Sequence, residues 1–349
     1  MKFFVSNESN SLMVAQSLSF LPRQLEQAWQ ELKNYRLPPS YLKVKNIAVC
    51  GMGGSNLSSE IVRSVYGGAM KVPLNLVRGY NLPGFVSRDT LVIISSYSGN
   101  TEEAVSCLKQ AVSRKAKIFC LASGGEVISL AKKFKLPFYH FDLKFNPSNQ
   151  PRYGLGSQLG AMLAIFSKLK IIKLTDRELS EAIVYLDKLN NSFKNFQDNL
   201  AKELANKLYD HSLIIVAAEF LAANAHILAN QINESAKNLA HPHLIPELNH
   251  HLMEGLALPK SVSRQTMFLF LNSSSYTPLV YKRFAVTQKV LVKQKIKFAN
   301  HFVISDNKLL AALETLVVGS WLSWHLCNLN HQDPTALPYV NYFKQELKK

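Results

Sequence analysis

The sequence alternates short apolar runs with longer segments of helical periodicity, and short turns join them. Strands joined through helices are parallel, because a parallel pair needs a long crossover connection. Strands that are buried on both faces read as nearly continuous apolar runs. The alternation therefore predicts an α/β fold in which helices flank a parallel sheet. In the first half, the apolar runs are VKNIAVC, VPLNLVRGY, TLVIISS, KIFCLAS and PFYHFDL.

The alternation stops once and then restarts. A polar loop with two prolines occupies 145–157, and a long helical stretch is predicted over 158–209. Further strands are predicted at 212–218, 265–272 and 300–305, with a helical segment after each. A chain of 349 residues is long for a single small core, so we predict two αβα domains.

We place the domain boundary between residues 157 and 158. The first domain, 1–157, begins with a helical segment within 1–40, and the second domain, 158–349, ends in an amphipathic helix. The two halves have a similar layout, which suggests an ancient duplication.

Composition narrows the class of protein. Hydrophobic residues make up 47% of the chain and charged residues 18%, which indicates a large interior and argues against disorder. The four cysteines lie among apolar residues without metal-ligand spacing, so we expect packed thiols in a reducing cytoplasm. We expect no membrane partner, since no apolar run is predicted to span a bilayer.

The net charge of +16 leaves three kinds of partner open: nucleic acid, an anionic surface or an anionic substrate. The basic residues are spread along the chain, without a basic helix, a zinc-finger spacing or an aromatic RNA-binding motif. We therefore expect no nucleic acid, and favour a positive field around a phosphate-binding enzyme. Ordinary solubility is the simpler alternative.

The third predicted strand ends in a turn rich in hydroxyls, SSYSGNT at 95–101, and the first ends in GMGGS at 51–55. Ligands of open parallel sheets lie beyond the carboxyl ends of the strands, where these turns would lie side by side. Each turn precedes a helix, whose free N–H groups and dipole favour an anion. The hydroxyls of Ser96, Ser98 and Thr101 could donate to phosphate oxygens. The two turns are therefore predicted to form a phosphate cradle.

Other interpretations of these turns are weaker. A dinucleotide fingerprint needs glycine where this chain has Asn56, and the second strand supplies no acid for a ribose. NADP, with Arg78 on its extra phosphate, stays open as a minor option. The sequence lacks the Gly-Lys-Ser/Thr of a Walker loop. Helix capping would account for Thr101, followed by Glu102 and Glu103, but not for the other hydroxyls.

Four motifs, in order, carry a resemblance: GMGGS, SYSGNTEE, NESAKN and PELNH. Together with the C-terminal DPTALPYVNYFKQEL, they resemble the bifunctional phosphoglucose/phosphomannose isomerases of the sugar isomerase (SIS) fold. The resemblance implies two SIS-type domains and a homodimer. It also implies interconversion of glucose 6-phosphate, and of mannose 6-phosphate, with fructose 6-phosphate in glycolysis and gluconeogenesis, without a metal or cofactor.

The resemblance also implies roles for individual residues. Glu234 would be the base, and Arg152 would steady the intermediate. His250 would open the sugar ring in the site of the partner subunit, helped by Lys344. Sugar and phosphate would be held by Gly53, Gly54, Ser55, Ser96, Ser98 and Thr101.

The chemistry suits these residue types. Isomerisation through a cis-enediol needs one carboxylate that carries a proton between C2 and C1. A fixed guanidinium stabilises the negative charge of the intermediate, and histidine transfers protons near neutrality. Because glucose and mannose 6-phosphates share one enediol, a single base can serve both.

Alternatives to these residue roles and to the isomerase function remain open. A metal cluster of His241, His243, His250 and His251 is conceivable, and Glu234 could be an ordinary acid at a helix end. The chain could also be a non-catalytic SIS sensor of sugar phosphates, or an isomerase of a different phosphosugar such as an amino sugar.

The chain departs from the family pattern in three places, all of which concern the sugar pocket and the choice between glucose and mannose. The family usually has Asn-His-Asn-Glu where this chain has Asn-His-His-Leu at 249–252, and often Arg-Asp where it has Arg78-Gly79. The family often shows basic residues upstream of its Asn-Glu motif, where this chain has HILANQ.

Overall fold

The structure is a computed structural model that describes residues 8–194, 196, 199–347 and 349. Packing divides the chain into two units. The first unit is Ser19–Lys188, and the second joins the N-terminal segment through Leu18 to Leu189–Lys349. The domain boundary predicted at 157 and 158 stays a prediction, since compactness divides the chain at other residues. The first seven residues of the predicted helical segment lie outside the described residues.

Each unit contains a fully parallel sheet, so the predicted α/β class with helix-flanked parallel sheets is confirmed. The strands of the first unit are β1 Asn46–Cys50, β2 Leu74–Val77, β3 Thr90–Ser95, β4 Lys117–Ala122 and β5 Phe138–His140, in the order β2-β1-β3-β4-β5. Those of the second are β6 Ser212–Ala217, β7 Ala240–Leu244, β8 Thr266–Asn272 and β9 Lys297–Phe302, in the order β7-β6-β8-β9.

Two helices precede β1, and the others lie between or after the strands along the chain. Those up to the end of the first unit are α1 Glu8–Ser19, α2 Leu21–Lys33, α3 Gly54–Tyr66, α4 Glu102–Ser113, α5 Gly125–Lys133, α6 Leu155–Lys168 and α7 Asp176–Phe193. The remaining helices are α8 Leu200–Leu208, α9 Ala222–Gln231, α10 Leu248–His251, α11 Val262–Gln265, α12 Pro278–Lys293, α13 Lys308–Leu329 and α14 Pro338–Glu346.

The two sheets have the same strand order over four strands, which supports the suggested duplication. Strand β7, with the sequence AHPHL, is absent from the sequence-based prediction because Pro242 cannot donate to a strand ladder. It lies at the edge of its sheet, where proline is tolerated. The order β2-β1-β3 places a topological switch point between β1 and β3, where ligands of such sheets bind.

The core of the second unit is built on α13, which is buried along almost its whole length. Two tryptophans on this helix bond to other parts of the unit: Trp321 Nε1 donates to Asn190 Oδ1 at 2.6 Å, and Trp324 Nε1 donates to the Ser11 carbonyl at 3.0 Å. Helix α13 has the length and composition of a membrane span, contrary to the expectation from the sequence. Its burial inside the unit is that of a core helix.

Candidate active site

The turns after β1 and β3 lie side by side at the switch point, as predicted. Cys50 and Ile94 are the last paired residues of β1 and β3. Beyond that pair, Tyr97 N donates to Ser55 Oγ at 2.8 Å, and Ser95 Oγ donates to the Ser55 carbonyl at 2.6 Å. Ser55 is buried, so these bonds hold the two turns in a fixed relation.

The hydroxyls of the second turn organise its backbone. Ser96 Oγ is buried, donates to Thr101 Oγ1 at 2.9 Å and accepts from Gly99 N at 3.1 Å. Ser98 is exposed, and its Oγ accepts from Asn100 N at 3.3 Å. Thr101 occupies the N-cap position of α4, but its side chain makes no capping bond. Capping therefore does not account for this hydroxyl.

The helices that begin at these turns have uncapped first turns among the described residues. Neither Gly53 before α3 nor Thr101 before α4 supplies a side-chain cap. Free N–H groups at a helix N-terminus bind anions, and the dipole adds to the attraction. In α3, however, Ser55 N and Asn56 N already donate to the carbonyls of Met52 at 3.2 Å and Gly53 at 3.1 Å. The start of α4 is therefore the better placed source of backbone donors for the predicted phosphate.

The corresponding turn of the second unit is filled by the chain's own carboxylate. Thr277, the N-cap residue of α12, donates from Oγ1 to Glu219 Oε1 at 2.7 Å, and its backbone N–H also points to that carboxylate at 3.3 Å. Glu219 has a positive φ of 45°, an uncommon conformation for a side-chain-bearing residue. Of the two turns, the one in the first unit is therefore the better placed to bind an external anion.

Gly99 is required by close packing of the turn. It has φ of +73°, and a Cβ at this position would overlap the carbonyl oxygen of Gly124. The contact brings the turn against the start of α5, where Val127 N donates to the Gly99 carbonyl at 2.9 Å. The turn is therefore braced by two neighbouring connections of the sheet.

Arg152 lies in the same unit, on a short turn before α6. Its side chain is almost fully buried, with 3% exposed, and its guanidinium lies over the ring of Tyr153 at 5.2 Å. A Cβ at Gly54 would be 3.3 Å from Arg152 N, so the glycine lets α3 approach this turn closely. The structure thus packs the backbone of Arg152 against the turn after β1.

Gln24 on α2 holds both ends of the loop that carries Arg152. Its Nε2 donates to the carbonyls of Phe145 at 2.7 Å and Tyr153 at 2.9 Å, and its Oε1 accepts from Gly156 N at 3.1 Å. Gln24 is buried, and all three bonds are made to backbone groups. Sequence reasoning missed this residue, because a single glutamine in an amphipathic helix carries no signal of its own.

Glu234 lies in the second unit, in a π-helical turn, Ile232–Ala236, that continues α9. Such turns are rare and frequently occur at functional sites. Lys237, just after this turn, is held by hydrogen bonds: its Nζ donates to the Glu234 carbonyl at 2.6 Å and to the Asp333 carbonyl at 2.9 Å. The lysine ammonium offsets the negative helix end that would otherwise disfavour a carboxylate here.

His250 lies on α10, and its side chain is exposed. Its neighbour His251 lies near His243, with ring centroids 5.9 Å apart. Desolvation lowers the pKa of His243, and His251 and His241 add to the effect, so His243 favours its neutral form. Within the described ranges, no three His, Cys, Asp or Glu side chains form a group that could hold a metal ion.

Lys344 lies on α14, where every described side chain after the first residue is exposed. Exposed fractions are 73% for Tyr339, 63% for Tyr342 and 61% for Phe343. A helix with so many exposed apolar groups is typical of an interaction surface.

Arg78, considered above for NADP, forms an ion pair with Glu60 on α3 at 2.6 Å. Glu60 is buried, so the pair gives this arginine a structural role.

The predicted site residues are distributed over both units. Gly53, Gly54, Ser55, Ser96, Ser98, Thr101 and Arg152 lie in the first unit, and Glu234, His250 and Lys344 in the second.

Comparison with known proteins identifies the family. Residues 197–347 match the bacterial phospho-glucose isomerase C-terminal SIS domain. A bifunctional phosphoglucose/phosphomannose isomerase of Caldicellulosiruptor bescii is 30% identical over 95% of this chain and 98% of its own length. A protein of the same name from Thermoplasma volcanium is 32% identical over 87% of this chain and 92% of its own.

A solved structure agrees at the level of the fold. A hypothetical protein from Thermus thermophilus superimposes with a TM-score of 0.74, covering 96% of this chain and 90% of the other, at 15% identity. The SIS-type fold expected from the motifs is thereby confirmed, and the chain belongs to the family of bifunctional phosphoglucose/phosphomannose isomerases.

Proposed function

We propose that this chain interconverts glucose 6-phosphate and mannose 6-phosphate with fructose 6-phosphate through a cis-enediol. The observation that carries the proposal is the pair of helix starts without side-chain caps at the β1/β3 switch point, with the hydroxyls of Ser98 and Thr101 beside the start of α4. The predicted donor Ser96 is buried and donates to Thr101 Oγ1, so it supports the turn and leaves the Thr101 hydroxyl to donate to the phosphate. A phosphate dianion suits such a site, because helix N-termini and hydroxyl donors both favour a bound anion. The names of the relatives support the proposal that this phosphate group belongs to a sugar phosphate.

In the proposed reaction, the phosphate is anchored first by the two turns. His250, helped by Lys344, transfers the protons that open the sugar ring. Glu234 then removes the proton from C2 and returns it to C1. The buried guanidinium of Arg152 stabilises the negative charge that develops on the enediol oxygens, at little cost in reorganisation because it is already fixed.

A coupled assay tests this function directly. The purified protein is given fructose 6-phosphate, and glucose 6-phosphate and mannose 6-phosphate are measured separately as products. We expect both. Turnover of an amino-sugar phosphate instead would show that the substrate is a different phosphosugar. Binding of a phosphosugar without turnover would indicate a non-catalytic sensor.

We also propose that the working form is a homodimer in the cytoplasm, and that His250 acts on sugar held by the partner subunit. The exposure of His250 and of the apolar side chains on α14 supports the dimer. The four cysteines, all among the described residues, are buried and form no disulfide, which fits a reducing compartment.

Sedimentation velocity tests the dimer. We expect the wild type to have about twice the chain mass of 39.2 kDa. The variant Tyr339→Glu/Phe343→Glu should sediment as a monomer, because it places charges in the apolar surface of α14. Tyr281→Glu is the matched control, since Tyr281 is an exposed tyrosine on α12. A monomeric wild type, or a dimer that the α14 substitutions leave intact, would contradict the proposal.

A further inference from the structure

The loop between β5 and α6, which carries Arg152, is unusually rich in buried polar groups. Asn146 is 4% exposed, Ser148 7% and Arg152 3%, and the facing Tyr97 from the turn after β3 is 4% exposed. Buried polar groups are costly unless they are hydrogen-bonded, so their bonds define the shape of the loop.

These bonds run without a break from one anion-binding turn to the guanidinium. Tyr97 N donates to Ser55 Oγ at 2.8 Å, which fixes the tyrosine to the turn after β1. Asn146 Nδ2 donates to Tyr97 Oη at 2.5 Å and to the Gln150 carbonyl at 2.9 Å. Arg152 Nη1 then donates to Gln150 Oε1 at 3.0 Å.

Packing leaves this network little freedom. A Cβ at Gly154 would collide with the Tyr97 ring and come within 3.0 Å of Asn146 Nδ2, so the loop backbone lies directly against both groups. The Tyr97 ring packs on Phe141 with centroids 5.4 Å apart. Ser148 Oγ donates to Asn146 Oδ1 at 2.8 Å, which fixes the orientation of the amide. Burial raises the pKa of Tyr97 to about 12, so its phenol stays neutral at physiological pH.

We propose that Tyr97, Asn146 and Gln150 are positioning residues that set the Arg152 guanidinium relative to the phosphate held by the two turns. The inference rests on the proposed function, because it assigns the network to the reaction of that site. Tyr97 belongs to the same turn as Ser96, Ser98 and Thr101.

In this arrangement, the turn that would bind the phosphate also sets the position of the Arg152 guanidinium. The binding energy of the phosphate, which is remote from the reacting carbons, would then help to stabilise the negative charge of the enediol intermediate. Loosening the network is expected to lower kcat and leave KM nearly unchanged, because the phosphate donors are untouched.

The test uses Gln150→Leu in the full chain, which keeps the approximate size but removes the acceptor of Arg152. We expect kcat with fructose 6-phosphate to fall about tenfold or more, since small misplacements of catalytic groups are costly, while KM stays within about twofold. A hydroxamate analogue of the enediolate should bind about tenfold more weakly, in line with the loss in kcat. Inhibition by inorganic phosphate should be unchanged.

Two further variants separate positioning from a structural role. Gln110→Leu is the matched control, because Gln110 Oε1 accepts from Leu82 N in the same unit, away from Arg152. It should leave kcat and both inhibition constants at wild-type values. Tyr97→Phe keeps the ring packing and should show the same pattern as Gln150→Leu to a smaller degree, and it replaces that variant if Gln150→Leu does not fold.

The outcomes are distinct. Unchanged kcat and unchanged analogue binding in a folded Gln150→Leu or Tyr97→Phe would overturn the inference while the isomerase function stands. Equal weakening of phosphate and analogue inhibition would also overturn it, since that result indicates a general disturbance of the site. A wild type without isomerase activity would instead refute the proposed function, and this inference with it.

Discussion

Replacing Glu234 with glutamine is expected to lower the rate of isomerisation by at least about a hundredfold, because general base catalysis contributes typically 10²–10⁴-fold. Glutamine keeps the size of the side chain but cannot accept the C2 proton. KM should barely change, since the proposed phosphate donors belong to other residues. The measurements are kcat with fructose 6-phosphate and the exchange of a C2 deuterium label with water, which should stop in the variant.

Glu203→Gln is the matched control for this substitution. Glu203 is an exposed glutamate of the same unit that pairs with Lys207 on α8 at 2.6 Å, and its loss should leave the rate at the wild-type value. A Glu234→Gln protein that still exchanges the label at the wild-type rate would show that another residue is the base.

The double substitution Ser98→Ala/Thr101→Ala is expected to raise KM for the sugar phosphate with a smaller effect on kcat. Each lost hydrogen bond to a charged group costs about 1.5–3 kcal/mol, so the two together should raise KM by about a hundredfold or more. Inhibition by inorganic phosphate should weaken in parallel, because the same hydroxyls would bind it.

Conservative and remote variants make this result interpretable. Ser98→Ala/Thr101→Ser keeps a hydroxyl at 101 and should recover part of the affinity. Ser113→Ala removes a hydroxyl at the far end of the same helix, where Ser113 Oγ donates to the Gln110 carbonyl, and should change neither KM nor inhibition. If the double alanine variant bound inorganic phosphate as well as the wild type, the phosphate site would lie elsewhere.

The sequence was sufficient for the layers of the fold and for the side-by-side placement of the turns after β1 and β3. Apolar runs that alternate with helical segments indicate buried parallel strands joined by crossover helices. The strand-final turns could be paired because neighbouring parallel strands end at one edge of a sheet. Interrupted helices were harder to predict. The described part of 158–209 contains three helices, and 17–37 falls on parts of two.

Other features depend on contacts that no local pattern records. Strand β7 was missed since Pro242 is compatible with a strand only at a sheet edge, and edges are a property of the assembled sheet. The bonds of Gln24 to the loop backbone and of Arg152 to Gln150 were equally invisible, because the partners lie far apart in sequence or on irregular backbone. The sequence signal for this loop was the polarity of FNPSNQPR, which contains three amide side chains.

The discontinuous second unit has a consequence for the order of folding during synthesis. Its N-terminal helix α1 contacts α13 across 313 residues, through Ser11 and Trp324, so this contact must wait until nearly the whole chain has been made. The first unit is contiguous and can fold earlier. The Leu18 carbonyl accepts from Asn190 Nδ2 at 3.0 Å, so the chain segments on either side of the first unit meet. Folding of the first unit would therefore close the large loop in advance and reduce the entropy lost when α1 docks.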